Sequence, residues 1–247
     1  MLAAALLLTG CATKPFDLGE LNTTPVQGAI VPKYAPSSGV LVLGEGLGLK
    51  RAVPSEGALK VIYASQPAGD NLLWMLTFVT PKASYSASIK TTRAGAVLST
   101  VIIGKDGPLP GGGKLQEVVL ATTKLFSSFF LPLSETSVAQ GGVISQQPPL
   151  FLDTDSKEPS PKDAGTTILS GEAVYEGIPC YVLKHHEAKD TTVKATREVM
   201  RVSTDAYLLV DRDTMLPVFG EMKIRVGVDS SLFPGITRIR RIKAEAQ

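Results

Sequence analysis

Short runs in which apolar and polar residues alternate one for one recur along this chain, and they restrict it to folds built from half-buried strands. The cleanest is Glu221-Met-Lys-Ile-Arg-Val-Gly-Val228: Met222, Ile224, Val226 and Val228 point one way, Glu221, Lys223 and Arg225 the other. A side-chain period of two gives each such run one face for a core and one for water. Ala83-Ser-Tyr-Ser-Ala-Ser-Ile89 repeats the pattern, with Ala83, Tyr85, Ala87 and Ile89 on one side and serines on the other. Further β-prone runs occupy 39–43, 59–63, 97–103, 167–174, 178–184, 196–202 and 206–210. Residues 72–79, Leu-Leu-Trp-Met-Leu-Thr-Phe-Val, are apolar on both faces, as expected of a buried central strand. Turn sequences at 105–108 and 211–215 separate neighbouring strands.

One segment breaks this rhythm. From Leu115 to Leu131, apolar residues recur at Leu115, Val118, Val119, Leu125, Phe126, Phe129 and Phe130, with Thr122 standing at the step where another apolar residue is due. Gln116, Glu117, Thr123, Lys124, Ser127 and Ser128 lie opposite, which is the 3.6-residue period of an amphipathic helix. Pro132 closes it, and Gly111-Gly-Gly113 before it forms a hinge. The expected fold is therefore mainly β (α+β): a curved antiparallel sheet or open barrel with one long amphipathic helix packed on it.

The N-terminus carries a different signal. Residues 2–8, Leu-Ala-Ala-Ala-Leu-Leu-Leu, are wholly apolar but far short of the roughly 20 residues of a membrane-spanning helix. They fit the apolar core of a signal peptide with a small-residue cleavage site, although no Lys or Arg precedes them. The tetrapeptide Leu8-Thr9-Gly10-Cys11 resembles the lipobox of bacterial lipoproteins. That resemblance implies cleavage between Gly10 and Cys11, a diacylglycerol on the Cys11 thiol and an acyl chain on its amine. Ala12 after the cysteine implies, by the same resemblance, an outer-membrane lipoprotein facing the periplasm. Such acyl chains contribute about 0.8 kcal/mol for each buried methylene, so the membrane would be held through them. The expected organisation is a signal peptide at 1–10, an extended Pro-rich tether at 11–38, and one β-rich domain at 39–247 with a Pro-rich loop at 146–164.

Chemistry-bearing motifs are scarce. The chain has no Gly-x-Ser-x-Gly elbow, His-Glu-x-x-His zinc motif or P-loop, so no enzyme and no cofactor or metal is expected. His185 and His186 are neighbours on a predicted strand, so their rings point to opposite faces and cannot share one ion. Cys180 and His186 would lie roughly 20 Å apart along a strand, too far for a nucleophile and its base. Cys180 sits in an apolar run and reads as a small buried residue, while Asp211 and Asp213 suit a turn. A net charge of +2, from 25 basic and 23 acidic residues, gives no footing for nucleic acid. Arg238, Arg240 and Arg241 read as a solvated strand face.

The helix at 115–131 and the hairpin Tyr207-Leu-Leu-Val-Asp-Arg-Asp-Thr-Met-Leu-Pro-Val-Phe219 together resemble the Lol-type lipoprotein carriers and receptors, although the helix is central here rather than early. That resemblance implies an incomplete barrel holding lipid or an acyl chain under a helical cover. Trp74, Phe78, Phe126, Phe129, Met222 and Ile224 are the expected ligand-lining residues. The alternative is a non-catalytic scaffold docking to an envelope protein complex. If the lipobox is used, Cys11→Ser loses metabolic labelling by a palmitate analogue and leaves the membrane fraction; undiminished labelling of the serine form would contradict it.

Overall fold

A computed structural model describes residues 21–43, 59–79, 84–104, 107–109, 113–147, 165–192, 199–228 and 231–242. Its strands are β1 (Ala29–Ile30), β2 (Ser38–Leu43), β3 (Leu59–Ala68), β4 (Asn71–Val79), β5 (Ser84–Thr91), β6 (Val97–Gly104) and β7 (Gly107–Pro108). After helix α1 (Gly113–Phe129) come β8 (Val138–Ala139), β9 (Val143–Ser145), β10 (Thr167–Tyr175), β11 (Ile178–Thr192), β12 (Val199–Asp211), β13 (Pro217–Val228) and β14 (Ser231–Ile242). Among the described residues the fold is mainly β: a curled twelve-stranded antiparallel sheet, a half-barrel, with one helix packed on it and a small two-stranded sheet of β1 and β8.

The sheet order is β7-β6-β5-β4-β3-β2-β14-β13-β12-β11-β10-β9. It consists of two meanders of consecutive strands, β2–β7 and β9–β14, joined at a seam where Val40–Leu43 pairs with Ile239–Ile242. Consecutive antiparallel strands need only short turns, as at Asp211–Met215, where Asp211 Oδ1 accepts the Asp213 N–H at 3.0 Å. The two outermost strands, β7 and β9, lie on either side of α1 in the chain. The polypeptide must pass from one edge of the sheet to the other, and α1 is the element that makes the passage.

Alternation assigns the faces. Leu72, Trp74, Leu76 and Phe78 of β4 are buried, with Ala87 and Ile89 of β5 and Val61 and Tyr63 of β3 beside them. Phe126, Phe129 and Phe130 cover this inner face. The other face of β4 is open, with Met75 44 % exposed, so β4 is buried on one side only. Its neighbours on β5 on that side, Ser86 and Ser88, are polar, and its partner on β3, Ala64, is small.

The second meander buries both faces. Leu183, Ala206, Leu208 and Met222 join the inner core, while Cys180, Val182, Tyr207, Leu209, Val218 and Phe219 form a second cluster on the outer side. This explains two departures from simple alternation. Glu221, expected to face water, is fully buried beside Lys223, whose Nζ lies 3.3 Å from its carboxylate. Arg241, expected on a solvated face, turns inward and donates to Asp211 at 3.0 Å with only 16 % of its side chain exposed. That pair ties β14 to the end of β12. A carboxylate and guanidinium so withdrawn from water persist only as a pair. From Val199 on, the expected strands at 196–202 and 206–210 are one strand, β12, and the strand face expected at Arg238–Arg241 belongs to the longer β14.

The described part of the expected tether is built into the fold. Val26 and Tyr34 are buried, Thr24 and Glu172 exchange backbone hydrogen bonds of 2.9 and 2.8 Å, and β1 pairs with β8. Tyr34 donates its hydroxyl to the Leu131 carbonyl at 2.9 Å and its N–H to Arg93 at 2.7 Å. Gly95 lies against this knot with φ +87°, where an added Cβ would stand 2.7 Å from the Tyr34 ring and 3.0 Å from the Leu131 oxygen. Gly95→Ala is expected to cost about 1–3 kcal/mol through left-handed strain and overpacking, read by chemical denaturation; wild-type stability would contradict so close an approach.

Candidate ligand-binding face

The inner face is organised around Trp74. Its ring meets Phe130 at 4.7 Å, Phe126 edge-on at 5.5 Å and Tyr34 edge-on at 5.8 Å, and Tyr63 meets Phe130 at 5.7 Å. Such pairs contribute about 0.5–1.5 kcal/mol each beyond area burial. The Trp74 indole N–H, which burial would otherwise leave unpaired, donates to Thr91 Oγ1 at 2.9 Å. Phe78 stacks on Tyr85 at 5.0 Å further along the same face.

The sequence singled out Trp74, Phe78, Phe126, Phe129 and Met222, and all five belong to this one inner cluster. They are close-packed, each 3 % exposed or less, so in this state the described interior is occupied by the protein's own side chains. Ile224 lies on β13, two residues beyond Met222, and its side chain is outside the described residues, as are Gly10 and Cys11 altogether. Tyr34 and Tyr63 escaped sequence reasoning. Tyr34 sits in a Pro-rich stretch with no periodicity to mark it, and burial pushes its phenol well above the ordinary range.

Helix α1 divides at Thr122. Beyond it, Phe126, Phe129 and Phe130 are 2 % exposed or less, and the following backbone is held by the Leu133 N–H to Ala94 and by Tyr34 on Leu131. Before it, Leu115 and Val119 are half-buried, Leu120 is 57 % exposed, and Val118, expected on the apolar face, is 42 % exposed. Near the division, Thr123 Oγ1 donates to the Val119 carbonyl at 2.8 Å and lies 2.8 Å from Thr100 Oγ1 of β6. The Phe-bearing end is thus fixed and the glycine-preceded end is thinly packed.

Two grooves open elsewhere, and charged side chains line both, although the first also has substantial apolar wall. One, of about 470 Å³, is lined by Lys184, His186, Asp205, Tyr207, Glu221 and Lys223 among others; His186 Nδ1 is 2.6 Å from Asp205. The other, of about 580 Å³, lies between residues 24–30 and Glu172, Tyr181 and Arg212, where Arg212 pairs with Glu172 at 2.9 Å. Exposed ion pairs of this kind contribute little to stability. The two histidines do face opposite ways. His185 is buried, with Nδ1 3.0 Å from the Thr166 carbonyl, and His186 is exposed. Among the described residues, no group of three or more His, Cys, Asp or Glu is placed to hold a metal ion, and no helix is long and apolar enough to cross a membrane.

No family model matches the chain, and no curated protein matches it.

Cys180 is free and fully buried in the outer cluster. Burial, and after it the Asp211 carboxylate, push its thiol from 9.0 up to about 11, against the opposing pull of Arg241. The folded chain holds this proton more tightly than the unfolded chain, so the stabilisation is complete below pH 9.0 and is lost as pH rises through about 11. In Cys11→Ser protein, a bulky thiol reagent should modify Cys180 rapidly only after denaturation. Cys180→Ala should remove part of the fall in melting temperature between pH 9 and 11. Rapid native labelling would contradict the burial.

Proposed function

We propose that this protein is a non-catalytic envelope lipoprotein, anchored through Cys11, that binds a lipid or acyl chain against the inner face of its half-barrel. The N-terminal half of α1 serves as the cover, pivoting on the buried Phe126–Phe130 end and so carrying Thr123 with it. The observation that carries this reading is the uneven attachment of α1: its Phe end is locked into the core, while of Leu115–Ala121 only Leu115 and Val119 are half-buried. Swinging that half outward would bare apolar residues of β6, the strand it packs against, such as Val97 and Ile102, which belong to the same cluster as Trp74 and Phe78. Each ligand methylene buried there contributes about 0.8 kcal/mol, so a long acyl chain outweighs the few half-buried contacts it displaces.

The Thr100–Thr123 contact supplies the test. In Cys11→Ser protein, Thr100→Cys with Thr123→Cys places two thiols where hydroxyl oxygens now stand 2.8 Å apart, close enough for a disulfide to pin α1 to β6. Oxidation is expected to weaken binding of a fluorescent fatty acid about tenfold or more, and reductant to restore it. Equal binding in both redox states contradicts the cover.

A second reading, a scaffold that docks to a partner, is favoured by the edge of β6. Strand β7 pairs only with Ile103 and Gly104, and Leu109 donates to the Ile102 carbonyl at 3.0 Å. From Val97 to Val101 no described strand pairs on that side, and Leu98 and Val101 are 53 % and 40 % exposed. An uncharged open edge accepts an added strand. This reading gains if the fatty acid fails to bind in either redox state.

A further inference from the structure

Thr122 stands where the apolar stripe of α1 requires a hydrophobic residue, and the structure buries it completely. Its hydroxyl has no hydrogen-bond partner. A helical threonine ordinarily finds the carbonyl four residues back, as its neighbour Thr123 does with Val119. Thr122 does not, so the closed helix carries an unsatisfied buried donor and acceptor, a cost that water or a ligand oxygen would relieve. Thr122 also marks the boundary between the fixed, phenylalanine-bearing end of α1 and its half-buried, exposed start. A packing defect at that one point penalises the closed state without loosening the core beyond it.

We infer that Thr122 is the release residue of the cover: its hydroxyl, orphaned when α1 is closed, is satisfied when the N-terminal half lifts and a polar group of the bound amphiphile, or water, reaches it. The inference rests on the proposed reading of α1 as a cover and adds the residue that sets the balance between closed and open. It also specifies the ligand class: an apolar chain bearing an oxygen function, as a fatty acid or acyl ester does, rather than a pure hydrocarbon. The hydroxyl costs the closed state and rewards the open one, so removing it shifts the equilibrium in one direction only.

The test compares Thr122→Val, which keeps the shape and deletes the hydroxyl, with Thr122→Ser, which keeps the hydroxyl. Both are made in the full chain carrying Cys11→Ser, and the probe is a fluorescent fatty acid. Thr122→Val is expected to raise the melting temperature, slow hydrogen exchange across Leu115–Ala121 about tenfold, and weaken probe binding about tenfold. Thr122→Ser is expected to bind as the parent does. A Thr122→Val protein that melts higher yet binds the probe unchanged overturns the release role, because the hydroxyl then affects packing alone. One that melts lower overturns it too, since the hydroxyl must then be satisfied in the closed state. If the parent protein binds no probe at all, the reading of α1 as a cover fails, and this inference fails with it. Unchanged binding by Thr122→Val beside a working Thr100–Thr123 lock overturns the Thr122 inference alone.

Discussion

The structure depends on one topological constraint: the two outermost strands of the sheet, β7 and β9, are joined by the segment that contains α1. A sheet curled without closing leaves an apolar inner face that water would otherwise wet. The segment obliged to cross that face is the natural element to fill it. Phe126 and Phe130 do so, seating against Trp74, Tyr34 and Tyr63, with Phe129 beside Phe130. Had the chain run its meander without interruption, no element of its own would have lain over the inner face.

The same constraint explains how the edges are managed. The outer edge of β10 is occupied: Thr24 pairs with Glu172, Leu169 exchanges hydrogen bonds with Gly141 and Gly142, and β9 takes up the start of the strand. The segment leading from the N-terminus is therefore spent on protecting an edge, which is why it packs instead of hanging free. At the opposite edge only β7 intervenes, and much of β6 stays open. At the middle of the sheet, four residue pairs between β2 and β14 join the meanders, and the withdrawn Arg241–Asp211 pair anchors β14 to β12 beside that seam.

Filling the concavity with a helix held at one end leaves a molecule that is tight in one half of α1 and loose in the other. Under the proposed reading of α1 as a cover, stability and access are then separable, since the aromatic cluster holds the fold whether or not the thinly packed turns stay down. The two open grooves, by contrast, are lined by charged side chains, and no metal-ligand cluster occurs among the described residues.

Local periodicity made much of this legible in the sequence. Period-two runs mark β5, β6 and β13, an unbroken apolar run marks β4 but misreads its open face, the single 3.6-period run marks α1, and opposite faces for His185 and His186 follow from strand geometry alone. Trp74, Phe78, Phe126, Phe129 and Met222 could be grouped because each lies on the apolar side of its own element. What periodicity cannot carry is which element covers which face. Glu221 alternates like a solvated residue, yet the second cluster buries it. Arg241 reads as surface, yet Asp211 draws it inward, and Tyr34 has no pattern at all. Thr122 was visible as an exception in the apolar stripe, but only the packed helix leaves its hydroxyl without a partner. Secondary structure follows from interactions a few residues apart and is written locally. Burial of both faces, the β2–β14 seam and the satisfaction of each polar atom arise from groups distant in the chain, so only the tertiary structure decides them.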